Sequence, residues 1–189
     1  MSHTTIAAPI PSVDVGRNIS RGQRSTVLSL MAVVIVVDQV TKWWAWRHSA
    51  EALINHGGSV LVGTTIGHWL TEPVTGALLD ILDFGLLGIS LSILVRRRRS
   101  TTFLVSGALM IGGWGSNLLD RLGLHHWTAP GSTRGAVDFI LLGQNYYNVA
   151  DIFITSGTLM FILAVSAKYF ARPRTPKVLR SACASSNSQ

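Results

Sequence analysis

Residues 76–119 read GALLDILDFGLLGISLSILVRRRRSTTFLVSGALMIGGWGSNLL. Two apolar stretches, from about Gly76 to Val95 and from about Thr101 to Leu119, flank the four arginines Arg96, Arg97, Arg98 and Arg99. Each stretch has close to the roughly 20 residues that a helix, rising about 1.5 Å per residue, needs to cross a hydrocarbon core of about 30 Å. A short arginine-rich turn between two such runs marks a pair of membrane helices whose connecting loop stays in the cytoplasm. Working outward, two further runs reach the same length, from about Thr26 to Trp46 and from about Val149 to Phe170. The expected fold is an all-α membrane protein, a bundle of four transmembrane helices.

Composition agrees. The 189 residues are 48% hydrophobic and only 13% charged, about half the charge of an ordinary soluble domain. The net charge of +7 does not form a nucleic-acid-binding face, because the basic residues flank the apolar runs. Arg17, Arg21 and Arg24 precede the first run, the four arginines join the second to the third, and Arg172, Arg174, Lys177 and Arg180 follow the fourth. With four spans these clusters fall on one side, opposite Arg47, Arg121 and Arg134, so both termini are expected in the cytoplasm. Residues 1–25 and 171–189 read as disordered cytoplasmic tails around a single domain over 26–170. The first apolar run is too long for a signal-peptide core and reads as a retained helix. The lone Cys183 has neither a disulfide partner nor metal-ligand spacing.

Two loops, about residues 47–75 and 120–148, then face outward. The first, with Gly57, Gly58, Val60, Leu61, Val62, Thr64 and Thr65, has room for a short β-hairpin on the membrane surface. Trp43, Trp44, Trp46, Tyr146 and Tyr147 sit at the outer boundary as an aromatic belt does. The eight residues Gly135–Leu142 are too few to span, and are expected to dip into the interface or pack across the bundle.

Ionisable residues inside spans are costly and mark function by default. Asp38 and Lys42 lie four apart on one face of the first span, with the acid N-terminal to the base, which favours an ion pair. That pair could fix helix packing or serve a substrate. Asn117, Asp120 and Arg121 end the third span, where polar helix caps would also be at home. Asp138 interrupts the apolar run 135–142. Asn148 and Asp151 open the fourth span, where an acid complements the helix dipole. These residues come from four segments, and the topology gathers them all at the outer leaflet while the cytoplasmic half of each span is nearly free of charge. A proton or cation pathway would spread charge through the membrane depth, so a single site at the outer surface is the simpler account.

The histidines show no zinc-hydrolase spacing, and no Gly-x-Ser-x-Gly elbow is present. Two carboxylates remain as the candidates for catalysis. A close pair in a low-dielectric pocket holds one proton between them, so one member can activate water while the other donates to a scissile carbonyl. That chemistry needs no metal and no cofactor.

At these residues the chain resembles lipoprotein signal peptidase, or signal peptidase II. The matching pieces are Val37-Asp38-Gln39-Val40-Thr41-Lys42, Gly112-Gly113 with Asn117-Leu118-Leu119-Asp120-Arg121, Val137-Asp138-Phe139-Ile140, and Asn148-Val149-Ala150-Asp151. Each is short, but they occur in the family's order over about residues 26–170. The resemblance implies an aspartic endopeptidase with Asp138 and Asp151 as its catalytic pair. It implies that Asp38, Lys42, Asn117, Asp120, Arg121 and Asn148 support the site or the substrate. The implied substrate is a prolipoprotein whose lipobox cysteine carries a diacylglyceryl group, cut just before that cysteine. Also implied are the bacterial cytoplasmic membrane, contact with membrane lipid, an extracytoplasmic active site, inhibition by globomycin-type peptides and action as a monomer. A non-catalytic lipoprotein-binding homologue is the alternative, because the chain departs from the family in places. Ser116 stands where a glycine is usual, and Trp114 where a small residue is. Val74 falls where an Asn-x-Gly-Ala-Ala-Phe pattern places its asparagine. Asp80 and Asp83, which follow, have no family explanation.

Overall fold

The computed structural model describes residues 19–56, 64–96 and 99–170. Four of its helices are long and apolar enough to cross a membrane. They are α1 (Arg21–His48), α3 (Pro73–Arg96), α4 (Thr101–Leu119) and α6 (Val149–Phe170). The bounds of α4 and the start of α6 match the apolar runs read from the sequence, and α6 continues to Phe170, the last described residue. Helix α1 begins earlier than Thr26 because Ser20 caps it. Its hydroxyl accepts from the Gln23 amide, and the Gln23 side chain accepts from the Ser20 amide, a reciprocal box that satisfies two amides of the first turn. Arg21–Ser25 therefore belong to the helix, and the expected tails at 1–18 and 171–189 lie outside the described residues.

Helix α4 is the centre of the bundle and packs on α1, α3 and α6. Small residues allow this. A Cβ at Gly113 would lie 2.6 Å from the Ala150 carbonyl oxygen, and one at Gly157 2.7 Å from that of Ser106. The α4 and α6 backbones thus touch where only glycine fits, which is how membrane helices gain packing without a hydrophobic driving force. Val27, Met31, Leu94, Leu104, Ala108 and Ile111 fill the space between α1, α3 and α4.

The remaining elements gather at the end of the bundle formed by the C-termini of α1 and α4 and the N-termini of α3 and α6. They are β1 (Leu53–Asn55), α2 (Thr65–Thr71), a π-helical turn at Asp120–Leu124, α5 (His125–Thr128), β2 (Ala136–Asp138), β3 (Ile140–Leu142) and β4 (Asn145–Tyr147). Strand β1 pairs antiparallel with β2, setting Leu53 opposite Asp138 and Asn55 opposite Ala136. Strands β3 and β4 form a hairpin around Gly143, whose φ of +66° is in the left-handed region that favours glycine. Gly135–Leu142, expected to dip into the interface or pack across the bundle, supplies two short strands, and β2 packs on α1 and α5. Most of the hairpin expected near Gly57–Thr65 lies outside the described residues; Thr64 and Thr65 instead cap and open α2.

Candidate active site

The N-terminus of α6 shows how the sequence builds the site. Asn148 precedes the helix, and its side-chain oxygen accepts from the Asp151 amide at 3.0 Å. The Asp151 carboxylate in turn accepts from the Asn148 amide at 3.1 Å. This is a capping box made from Asn and Asp. The amide of Ala150, another donor without a partner inside the helix, is taken by Asp38 of α1 at 2.7 Å. Asn-x-x-Asp is thus a local necessity for starting α6, and it also sets an acid at the mouth of the bundle.

Asp138 arrives from β2, buried at 2% exposure. One of its oxygens accepts from Asn148 Nδ2 and the other from Asn55 Nδ2, both at 2.6 Å. Asp151 is half-buried and its second oxygen accepts from Asn117 Nδ2 at 3.0 Å. Asn148 therefore joins the two acids, bonding Asp138 with its side chain and Asp151 with its backbone. Burial pushes the Asp138 carboxyl up to about 6, and the charge of Asp151 adds to the rise, while the amides of Asn55 and Asn148 and the charge of Lys42 oppose it. Loss of water around a carboxylate disfavours its charged form.

Behind the two acids lies a fully buried ion cluster. Lys42 Nζ donates to Asp38 at 2.6 Å, Asp120 at 2.7 Å and Asn117 Oδ1 at 2.7 Å. Its three protons have three acceptors. Asn117 Oδ1 also accepts from Asn148 Nδ2 at 2.9 Å, so a continuous chain of hydrogen bonds runs from Lys42 through Asn117 and Asn148 to both acids. The π turn after α4 supports Asp120. There the ring N–H of His125 donates to the Asp120 carbonyl oxygen and Thr128 donates to its carboxylate. Ser116 is also absorbed: its hydroxyl donates to Asp38 at 2.7 Å and accepts from Gln39. Among the described residues no group of three or more His, Cys, Asp or Glu could hold a metal ion.

Seven of the eight residues singled out in the sequence thus join one network: Asp38, Lys42, Asn117, Asp120, Asp138, Asn148 and Asp151. Arg121 does not. It lies 3.9 Å from Asp80, in a second cluster on α3. The sequence reading missed Asn55 and looked for an asparagine at Val74, which is 72% exposed at the first turn of α3 and takes no part in the network. The signal was available one loop earlier. Asn55-His56-Gly57-Gly58-Ser59-Val60 has asparagine, glycine, two small residues and an apolar residue in the same spacing.

The family model described as signal peptidase (SPase) II matches residues 30–167. The chain belongs to the signal peptidase II family. The lipoprotein signal peptidase of Hydrogenovibrio crunogenus is 27% identical over 173 residues, covering 82% of this chain and 92% of that protein. That of Acinetobacter baylyi is 30% identical over 155 residues, covering 72% and 79%. A solved bacterial membrane enzyme, determined by the in meso method at 2.3 Å, has the same fold. It superposes with a TM-score of 0.56 at 17% identity, over 87% of this chain and 99% of its own. As a signal peptidase II family member the chain is an aspartic-type peptidase of prolipoproteins, and its site is to be read in those terms.

Proposed function

We propose that Asp138 and Asp151 are the catalytic pair with which this signal peptidase II family member removes the signal peptide of diacylglyceryl-prolipoproteins, just before the lipidated cysteine. The observation that carries the reading is Asn148, which bonds both carboxylates at the mouth of the bundle. Burial raises the Asp138 carboxyl to about 6, which makes it the acid that takes up the proton the pair shares, and Asp151 acts as the base. Asp151 takes a proton from water as the oxygen attacks the scissile carbonyl carbon. Asp138 gives its proton to the carbonyl oxygen, forming a neutral tetrahedral diol. Collapse breaks the C–N bond: Asp151 passes its proton to the departing cysteine nitrogen, and a diol hydroxyl returns its proton to Asp138. One water is consumed, and both acids regain their starting states.

Asn117, Asn148 and Asn55 orient the carboxylates, and the Asp38–Lys42–Asp120 cluster holds Asn117 and the start of α6 in place. The three basic clusters support an orientation with the site at the outer face of the bacterial cytoplasmic membrane, where the acyl chains can stay in the outer leaflet while the peptide enters. The same reading makes lipid a constant contact, globomycin-type peptides inhibitors and the monomer the working form.

The test is complementation in cells lacking their own lipoprotein-processing activity. The wild-type chain yields mature lipoprotein, and globomycin abolishes that maturation. Asp138→Asn and Asp151→Asn accumulate precursor. Normal maturation by either variant removes that residue from the pair.

A further inference from the structure

Asp80 lies seven residues into α3, about 10 Å from the start of a membrane helix, with no exposed surface. A carboxylate at that depth is retained only with a partner. Its partner is Arg134, from the loop ahead of β2, which donates through Nη1 to Asp80 Oδ2. The other branch of the same guanidinium donates to the Leu70 carbonyl oxygen of α2 at 2.7 Å. The backbone carbonyl of Arg134 accepts from the His56 ring at 2.5 Å, next to the end of β1. One residue therefore ties α2, α3 and the β1 segment together, four positions before Asp138. Arg121, from the π turn after α4, adds a second cation 3.9 Å from Asp80.

The sequence reserves space for this arrangement. A Cβ at Gly76 would overlap Arg134 Nη2 and lie 2.5 Å from the Leu70 carbonyl oxygen. A Cβ at Gly135 would lie 2.8 Å from the Asn55 carbonyl oxygen, and its φ of +158° borders the range closed to other residues. Strand β2 is buried against α1 and α5 and bonded through Asp138 to Asn55 and Asn148, but its backbone pairing is short. Among the described residues its ladder is three residues long, and an isolated two-stranded pairing is marginal.

We infer that Asp80 and Arg134 form a buried latch that sets the position of Asp138 against Asp151, making them positioning residues for the reaction. The inference rests on the catalytic assignment above. A carboxyl displaced by about 1 Å loses up to about a hundredfold in rate. The latch acts on kcat, since neither residue belongs to the network that touches the acids.

The experiment uses the purified full chain in nanodiscs, cleaving a diacylglyceryl-prolipoprotein, with amide hydrogen exchange on the same samples. Asp80→Asn and Arg134→Gln each lower kcat by about tenfold or more with little change in KM, and speed exchange at 136–138 while α6 keeps its protection. Arg134→Lys, which keeps the charge but cannot fork to Asp80 and Leu70 together, falls between. The double variant Asp80→Asn/Arg134→Gln leaves neither member of the pair charged without the other, with only Arg121 losing its distant acid, and is less impaired than the two single losses multiplied. Should a single variant not accumulate, Arg134→Lys and the double variant carry the same comparison. Wild-type kcat and exchange at β2 in these variants overturn the latch, as does uniform loss of protection with multiplicative rate effects. Failure of the catalytic assignment reads out separately: Asp138→Asn would still cleave, whatever β2 exchange showed.

Discussion

Asn55→Ala isolates what the β1 asparagine contributes to the acid chemistry. Its side chain donates to Asp138 at 2.6 Å and stabilises the ionised carboxylate. Its loss therefore favours the protonated acid and raises the carboxyl further above its present value of about 6. A hydrogen bond to a charged acceptor is worth about 1.5–3 kcal/mol. At about 1.36 kcal/mol per pKa unit, the shift is roughly one to two units. In the proposed mechanism Asp138 works protonated, so kcat/KM of the wild type falls as pH rises through the Asp138 value in the free enzyme. In Asn55→Ala the plateau is lower, because Asp138 has lost one of its two amide partners, yet the falling limb moves to higher pH. The assay is initial cleavage rate of a fluorogenic lipidated peptide from about pH 5 to pH 9, wild type and variant in the same detergent. A limb that stays in place, or moves to lower pH, refutes the assignment of the proton to Asp138 or the bond from Asn55 as its control.

Lys42→Met removes the only cation among the described residues that bonds Asp38 and Asp120, two acids with no exposed surface. Breaking a buried pair costs about 3–5 kcal/mol, so the thermal midpoint in detergent falls on the order of 10 °C, and adding Asp120→Asn recovers part of it. An unchanged midpoint would mean that Lys42 does not hold the cluster together. Gly113→Ala gains about 1 kcal/mol of helix propensity but drives its methyl to within 2.6 Å of a backbone oxygen on α6, one residue before Asp151. Overpacking of this kind costs about 1–3 kcal/mol, so the variant is both less stable and slower. A rise in midpoint with full activity contradicts the close α4–α6 contact.

The parts of the molecule that the sequence exposed are those where the membrane imposes a rule on a single segment. Helix α4 and the start of α6 could be located because apolar length ends where polar residues begin. Asp38, Lys42, Asn117, Asp120 and Asp151 stood out because a polar group in or at the end of a span must be explained. What stayed hidden was the partner. Asp80 was as conspicuous as Asp38, but its cation is Arg134, 54 positions away in a Gly-, Ser- and Thr-rich stretch that reads only as loop. Lys42, by contrast, sits one turn beyond Asp38 on the same helix, where spacing alone predicts contact. Strands of three residues carry no usable alternation, so the pairing of β1 with β2 was unreadable, and with it the reach of Asn55 to Asp138, although the spacing from Asn55 to Val60 was open to view. Cost and pairing are therefore separate pieces of information in a membrane protein. Burial makes each charge visible in the chain, but which loop residue answers it depends on how the caps of four helices converge. Asp83 shows the limit: it is half-buried one turn beyond Asp80, and no hydrogen bond or ion pair among the described residues accounts for it.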